Sequence, residues 1–462
     1  VALTTTPDRR DTPVETTLPS SRRHWIDDWR PEDPEFWEST GKPVARRNLT
    51  FSILSEHLGF SVWTMWSVLV LFLGPEYGFD AGQKFLLTTL PAGLGAVLRL
   101  PYTFAVAKVG GRNWTIVSSA LLLVPCALTA LVLEPGVSFT TLLAVATVAG
   151  VGGGNFSSSM SNIETFYPQR LKGWALGLNA GGGNLGVAFV QLVGLLVLET
   201  AGVAHPRVVL AIYVPLIVVA TVCAARRMDN LTHATNEKRA MRDVLHERHT
   251  WVMSFLYIGT FGSFIGFGFA FGQVLLVQFP EHYDTPVRAA YVTFLGPLLG
   301  SLIRPVGGRL ADRLGGATVT FWNFLAMGAG AAVVLLASAT ESLPLFIAGF
   351  VALFVFTGVG NGSTYKMIPA IFAARARLAV EAGADADVEA ARARRLSRAL
   401  IGIAGAVGAF GGVLVNLALR QSFLSSGTGD GAYVAFLSFY AVCLAVTWVV
   451  YLRPSASRLA GV

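Results

Sequence analysis

The feature that most restricts this chain is a succession of twelve apolar stretches, each long enough to cross a bilayer. A crossing helix needs about 20 mostly apolar residues. Such stretches fall near 48–73, 82–107, 113–133, 138–167, 172–198, 207–225, 250–278, 288–312, 316–338, 343–373, 398–423 and 432–451. Composition agrees with a membrane solvent: 53% of the 462 residues are hydrophobic and 14% charged, whereas a soluble domain carries about 25% charged residues. An ordinary soluble enzyme and a disordered chain are both excluded on these grounds. The expected fold is an all-α polytopic membrane protein.

Polar segments divide the chain. Residues 1–47 lack the continuous apolar run of a signal peptide. Residues 48–225 and 250–452 form two six-span bundles joined by a basic linker, 226–249, that carries Arg226, Arg227, Lys238, Arg239, Arg242 and Arg248. The segment 374–397, rich in Ala, Arg and Glu, reads as a short surface helix, and 453–462 is a tail. With the N-terminus inside, 28 of the 35 Lys and Arg fall on inner segments, while the outer turns hold only Lys84, Arg207, Arg288 and Arg420. The excess of basic residues on the inner side places both termini in the cytoplasm and explains the net charge of +7 without any nucleic-acid partner. Cys126, Cys223 and Cys443 lie inside apolar runs with no CxxC pattern or neighbouring His, so neither a disulfide framework, a metal site nor a cofactor is expected.

The two bundles repeat one another. Residues 94–111 (LGAVLRLPYTFAVAKVGG) and 299–316 (LGSLIRPVGGRLADRLGG) both place Arg four residues after Gly and a Gly-Gly pair eleven and twelve residues after that Arg. Gly150-Val151-Gly152 on span 4 is matched by Gly358-Val359-Gly360 on span 10, and the glycine-rich span 5 by span 11. Three helix pairs agreeing in order give a parallel six-plus-six duplication, the pattern of major facilitator transporters, whose site lies at the midplane between halves.

Arg99 and Arg304 are the charges that need an explanation. Burying an arginine at that depth costs at least ~2.5–3.5 kcal/mol. Each lies eight or nine residues from the inner end of its span, about 12–14 Å at 1.5 Å per residue, which is far to snorkel. Two cations at equivalent depth, one per half, point to an anionic substrate, and guanidinium forks suit planar oxyanions. Phe60, Phe156, Tyr257 and Phe261 are candidate walls, with Tyr257 and Phe261 on one helix face. Gly173, Gly177, Gly181, Gly183, Gly405, Gly408 and Gly411 are candidate packing and hinge positions, because small residues let helices touch and slide. Asn184 offers amide donors to an anion.

These residues resemble the nitrate/nitrite porter family (NarK/NarU type) of the major facilitator superfamily. The resemblance runs from Asp28-Trp29-Arg30-Pro31-Glu32-Asp33-Pro34 through Arg99-Leu100-Pro101-Tyr102, Asn155-Phe156, the glycine signature around Gly177-Leu178-Asn179 and Asn184, Phe261-Gly262-Ser263-Phe264-Ile265-Gly266 and Arg304 to the glycines of span 11. It implies transport of nitrate and nitrite across the cell membrane by alternating access, in a chain that acts as a monomer among membrane lipids. Arg99 and Arg304 then clamp the anion, Phe156 and Phe261 sandwich it, Tyr257 and Asn184 donate to it, and Phe60 caps the cavity.

Glu56, His57, Glu164 and Lys366 depart from the uncharged pattern of several relatives and leave two coupling modes open, nitrate/nitrite exchange and proton-coupled nitrate symport. Lys366 is expected to pair with Glu164, or with Glu56, as a cytoplasmic gate. A carrier of another small anion is disfavoured by the glycine signatures. A membrane enzyme is disfavoured by the absence of HExxH, GxSxG or any clustered set of histidines.

Overall fold

The computed structural model describes residues 24–232, 238–283, 285–454, 459 and 462. Arg9, Arg10, Arg22, Arg23 and Arg458, which enter the charge count above, lie outside the described residues, as do the side chains of Lys238 and Arg239. Among the described residues eleven helices are long and apolar enough to cross a membrane: α2 (Ala81–Val109), α3 (Gly111–Val132), α4 (Phe139–Phe166), α5 (Gln169–Thr200), α6 (Arg207–Arg227), α7 (Arg248–Gln278), α8 (Pro286–Leu314), α9 (Gly316–Ala339), α10 (Leu343–Glu381), α11 (Ala386–Ser426) and α12 (Asp430–Leu452). The first crossing, α1, is Lys42–Thr64 continued beyond a turn at Met65 by Trp66–Leu69. The protein is all-α, with twelve crossings in two six-helix halves. The end at which α1 starts and α12 finishes is called the inner face here, after its basic residues.

The repeat has a local structural reason. Gly110 and Gly315 end α2 and α8 with φ of 90° and 87°, a conformation open to glycine at little cost. The glycine after each begins the next helix in close contact: a Cβ on Gly111 would strike Asn162, and one on Gly316 would come 2.6 Å from Met367. The Gly-Gly pair is thus a tight corner, made once per half. At the outer face, Asp80 and Gln83 form a reciprocal cap at the start of α2.

Two polar segments differ from expectation. Residues 374–397 are not a separate surface helix. Instead α10 runs 39 residues, turns through Gly383 (φ 99°), and α11 restarts after the Asp385 cap and runs 41. A 39-residue helix is about 58 Å long, beyond the ~40–45 Å of a whole bilayer. Strong helix formers such as Ala, Arg and Glu simply carry the spans into water. The N-terminal segment is docked against the inner end of the first half. Trp25–Ile26 pairs in parallel with Asn230–Leu231, Trp29 packs edge-on against Phe166 at 5.4 Å, and Trp37 lies against Tyr167. Asp229 accepts from Arg47 and Asn48, and Glu32 accepts from the Gln169 backbone N–H, an open donor at the start of α5.

The halves meet along a dense outer seam. Trp63 and Phe269 lie edge to face at 5.8 Å, and Phe85 stacks on Phe423. Gln191 donates to the Gly268 carbonyl, Thr88 to Asn416, and Arg420 to the Gly82 carbonyl. Toward the inner face Arg398 on α11 donates to Glu164 on α4 at 2.5 Å, beside a cavity of about 30 Å³ lined by Phe156, Met160, Leu176 and Tyr365.

Candidate functional site

Arg99 on α2 is completely buried, and Arg304 on α8 is 5% exposed. A continuous set of contacts joins them. The Arg99 guanidinium carbon lies 4.5 Å from the Phe156 ring centre, 4.8 Å from that of Phe261 and 5.4 Å from that of Trp63. Phe261 stacks on Tyr257 at 5.2 Å with planes 10° apart. The Tyr257 hydroxyl then accepts from Arg304 Nη2 at 3.4 Å. Cation–π contacts of this kind contribute ~2 kcal/mol or more when desolvated, which offsets part of the burial cost. Arg99 Nη1 donates to the Gly405 carbonyl across the seam at 2.8 Å. Arg99 Nε and Nη2 and Arg304 Nη1 are buried with no hydrogen-bond partner.

The helices bearing these rings are irregular where the rings project. In α7 the segment Ile258–Gly262 is a π turn, which seats Phe261 four residues after Tyr257 on the same face. Such bulges occur often at functional positions. In α4 the glycine run Ala149–Gly154 is a 3-10 turn immediately before Asn155 and Phe156. Glycine is needed there: a Cβ on Gly154 would come 2.5 Å from Tyr102, and one on Gly153 2.7 Å from the Gly95 backbone.

Direct contacts therefore gather Arg99, Arg304, Tyr257, Phe156 and Phe261, with Phe60 joining through Phe156 at 6.1 Å. Asn184 is also buried, with both amide atoms unpartnered, and makes no hydrogen bond or ring contact to the others. The glycines divide. An added Cβ would strike the Tyr257 ring at Gly408, the Glu56 carboxylate at Gly183 and, at 2.8 Å, the Gly262 backbone at Gly411, while at Gly405 it would only be in ordinary contact with Arg99. At Gly177 and Gly181 an added Cβ would meet open space, and at Gly173 only Lys366 Nζ, at 3.7 Å. Tight packing expected along the inner part of α5 is thus not made in this conformation. It occurs further out, at Gly182, Gly183 and Gly186, because small residues permit close approach without imposing it.

Comparison with known proteins places the chain as a whole. The profile of the Major Facilitator Superfamily matches residues 58–384. The nitrate/nitrite transporter NarU of Salmonella typhimurium is 39% identical over 452 residues, covering 93% of this chain and 97% of that protein. The probable nitrate/nitrite antiporter NarK2 of Thermus thermophilus is 33% identical over 466 residues, covering 96% and 99%. The chain belongs to the nitrate/nitrite porters of the major facilitator superfamily. A crystal structure of a D-xylose-proton symporter shares the fold, with a TM-score of 0.67 over 88% of this chain and 97% of that one, at 13% identity.

The charged residues of the porter sort differently from expectation. Lys366 donates to both carboxylate oxygens of Asp312 on α8, at 2.9 and 3.0 Å, so it pairs within its own half and with neither Glu164 nor Glu56. Glu164 instead takes Arg398, with Lys172 at 3.9 Å. Asp312 is four residues from Gly308, beside α10 rather than across the seam, so it reaches Lys366 first. His57 faces the Gly182 carbonyl and the Phe189 ring. Sequence reasoning missed Tyr365, whose ring lies 5.6 Å from the Arg304 guanidinium, and Trp63. Tyr365 directly precedes Lys366, and a single ring in an apolar span carries no signal of its own in the sequence.

Proposed function

We propose that this porter is a secondary transporter that moves nitrate and nitrite across the cell membrane by alternating access, taking up nitrate and exporting nitrite. The observation that carries the reading is the arginine pair with three buried, unpartnered N–H-bearing nitrogens. Leaving such donors unmade costs ~1–3 kcal/mol or more each, and a planar oxyanion supplies acceptors in the geometry a guanidinium fork prefers. Phe156 and Phe261 stand 6.1 Å apart with planes 29° apart. A flat anion between two rings needs about 7 Å, two contacts of about 3.5 Å, so loading requires roughly 1 Å of separation. Loading neutralises one of two buried cations, which lowers the cost of closing the halves over the site.

In this conformation the outer seam is closed and Glu164–Arg398 closes the inner side. Release inward breaks that pair and widens the small cavity beside Phe156 and Met160. Gly408 against Tyr257 and Gly411 against Gly262 give α11 and α7 a low-profile surface on which to shift. The porter works as a single chain, with residues such as Leu131, Leu302 and Trp322, all exposed, facing lipid. The test is counterflow: purified porter in liposomes loaded with nitrite should take up labelled nitrate and release nitrite in step. Absence of that exchange, with uptake of a sugar phosphate instead, overturns the reading.

A further inference from the structure

Glu56 has no part in the anion clamp, yet it sits one turn inward of Phe60 on the same face of α1. It is completely buried. Its Oε2 accepts from Ser159 on α4 and from Asn179 on α5, while Oε1 has no partner and lies against Gly183, where any Cβ would collide with it. Asn179 also reaches Met160, 3.6 Å from its sulfur, and Met160 lines the inner cavity.

The charged and titratable groups whose fields reach this carboxyl are Arg99 from α2, Arg304 from α8 and Tyr365 from α10. From α4 and α5 it meets a hydroxyl and an amide; α3 packs nearby through Ser119 on Ser55. His57 points away, and α6 meets α1 further out, where Tyr213 reaches Ser61.

A buried carboxylate beside an anion's path repels the substrate unless its own charge can be cancelled. We propose that Glu56 is a built-in counter-anion for the arginine pair and takes up a proton when nitrate binds, which gives the porter a net nitrate–proton symport beside exchange. The inference rests on the nitrate reading above. With the site empty and Glu56 ionised, two guanidinium groups and one carboxylate leave a single buried positive charge. Nitrate together with a proton on Glu56 leaves the same single charge. An empty site with no carboxylate would bury two, and burying unpaired charge is what opposes return of an empty carrier. An arginine pair alone must therefore return with an anion, whereas this porter can return without nitrite. The proton comes from the outer solution, forms an O–H bond on the carboxylate, and leaves to the inner solution after nitrate has gone; no other bond changes.

The experiment uses the intact porter in liposomes, once loaded with nitrite and once without it, each with and without an inward proton gradient. Wild type is expected to accumulate labelled nitrate in nitrite-free liposomes when the gradient is present, to lose that accumulation with a protonophore, and to remove about one proton per nitrate from a weakly buffered medium. Glu56→Gln keeps the length of the side chain and an oxygen for Ser159 and Asn179. It is expected to lower gradient-driven uptake about tenfold or more relative to exchange measured in parallel, since no titrating group remains. Uptake indifferent to the gradient, or an unchanged ratio in Glu56→Gln, overturns the proposal while leaving exchange intact. Absence of both fluxes overturns the nitrate reading itself. Nitrate binding to the detergent-solubilised variant, read by tryptophan quenching, separates lost coupling from lost folding, and Glu56→Asp should recover part of the gradient-driven flux.

Discussion

Arg99 and Arg304 occupy matching places in the repeat, yet their surroundings differ in kind. Arg99 is covered by rings from both halves, Trp63 and Phe156 from the first and Phe261 from the second, and its Nη1 bonds across the seam to the Gly405 carbonyl. Arg304 stays within its own half, between the Tyr257 hydroxyl and the Tyr365 ring. Duplication supplied the charge twice, but only Arg99 is tied to both halves at once. A relative shift of the halves therefore disturbs the contacts of Arg99 more than those of Arg304. The first half also carries the buried carboxyl of Glu56, while in the second half Lys366 is paired with Asp312.

The largest expected effect tests that asymmetry directly. Arg99→Lys gives up the planar stack on three rings as well as the fork, and nitrate affinity should fall about 100-fold; Arg304→Lys gives up mainly the fork and should cost about tenfold. Calorimetry on the purified variants checks this. Equal losses would remove the distinction, and unaltered affinity in either would remove the clamp. Next comes the contrast between α11 and α5. Gly408→Leu forces a side chain into the Tyr257 ring, and overpacking of this kind costs ~1–3 kcal/mol, so counterflow should drop about tenfold. Gly177→Leu enters open space in this conformation and should leave counterflow within about twofold. Strong inhibition by Gly177→Leu would show that the inner part of α5 closes elsewhere in the cycle.

Smaller effects sharpen the picture around Arg304. Tyr257→Phe removes the hydroxyl that accepts from Arg304, and a hydrogen bond of about 0.5–1.5 kcal/mol corresponds to roughly threefold to tenfold in nitrate affinity. A greater loss from Tyr365→Phe than from Tyr257→Phe would shift the polar contact to Tyr365. The smallest effect concerns the inner seam. Arg398 and Glu164 are partly exposed, at 49% and 20%, and such pairs contribute about 0.2–1 kcal/mol. Glu164→Arg and Arg398→Glu should each raise labelling of a cysteine placed at Met160 from the inner side by about twofold to fivefold, with the double exchange returning it toward wild type. Rescue of Glu164→Lys by Lys366→Glu instead would restore the pairing expected from sequence.

Much of the architecture was legible because lipid imposes few solutions. Apolar runs of the required length located all twelve crossings, and the Gly-Arg-Gly-Gly register matched the halves before any contact was known. The two buried arginines were legible for a related reason: a charge without a local partner stands out against an apolar span. Tyr365, Trp63 and Ser159 were not, because a ring or hydroxyl in a membrane helix has many ordinary uses and its neighbours lie far away in sequence.

By itself the sequence determined the helix count, the duplication, the depth of the two arginines and the family, since each depends on local composition, register or similarity. Only the tertiary structure decided which glycines are in contact, that Lys366 takes Asp312 and Glu164 takes Arg398, and that Glu56 is buried against Gly183. Those outcomes depend on the rotation and spacing of helices distant in the chain. A difference of one residue in facing turns a side chain by about 100°, enough to choose one partner over another, and nothing local to Glu56, Lys366 or Gly177 encodes it.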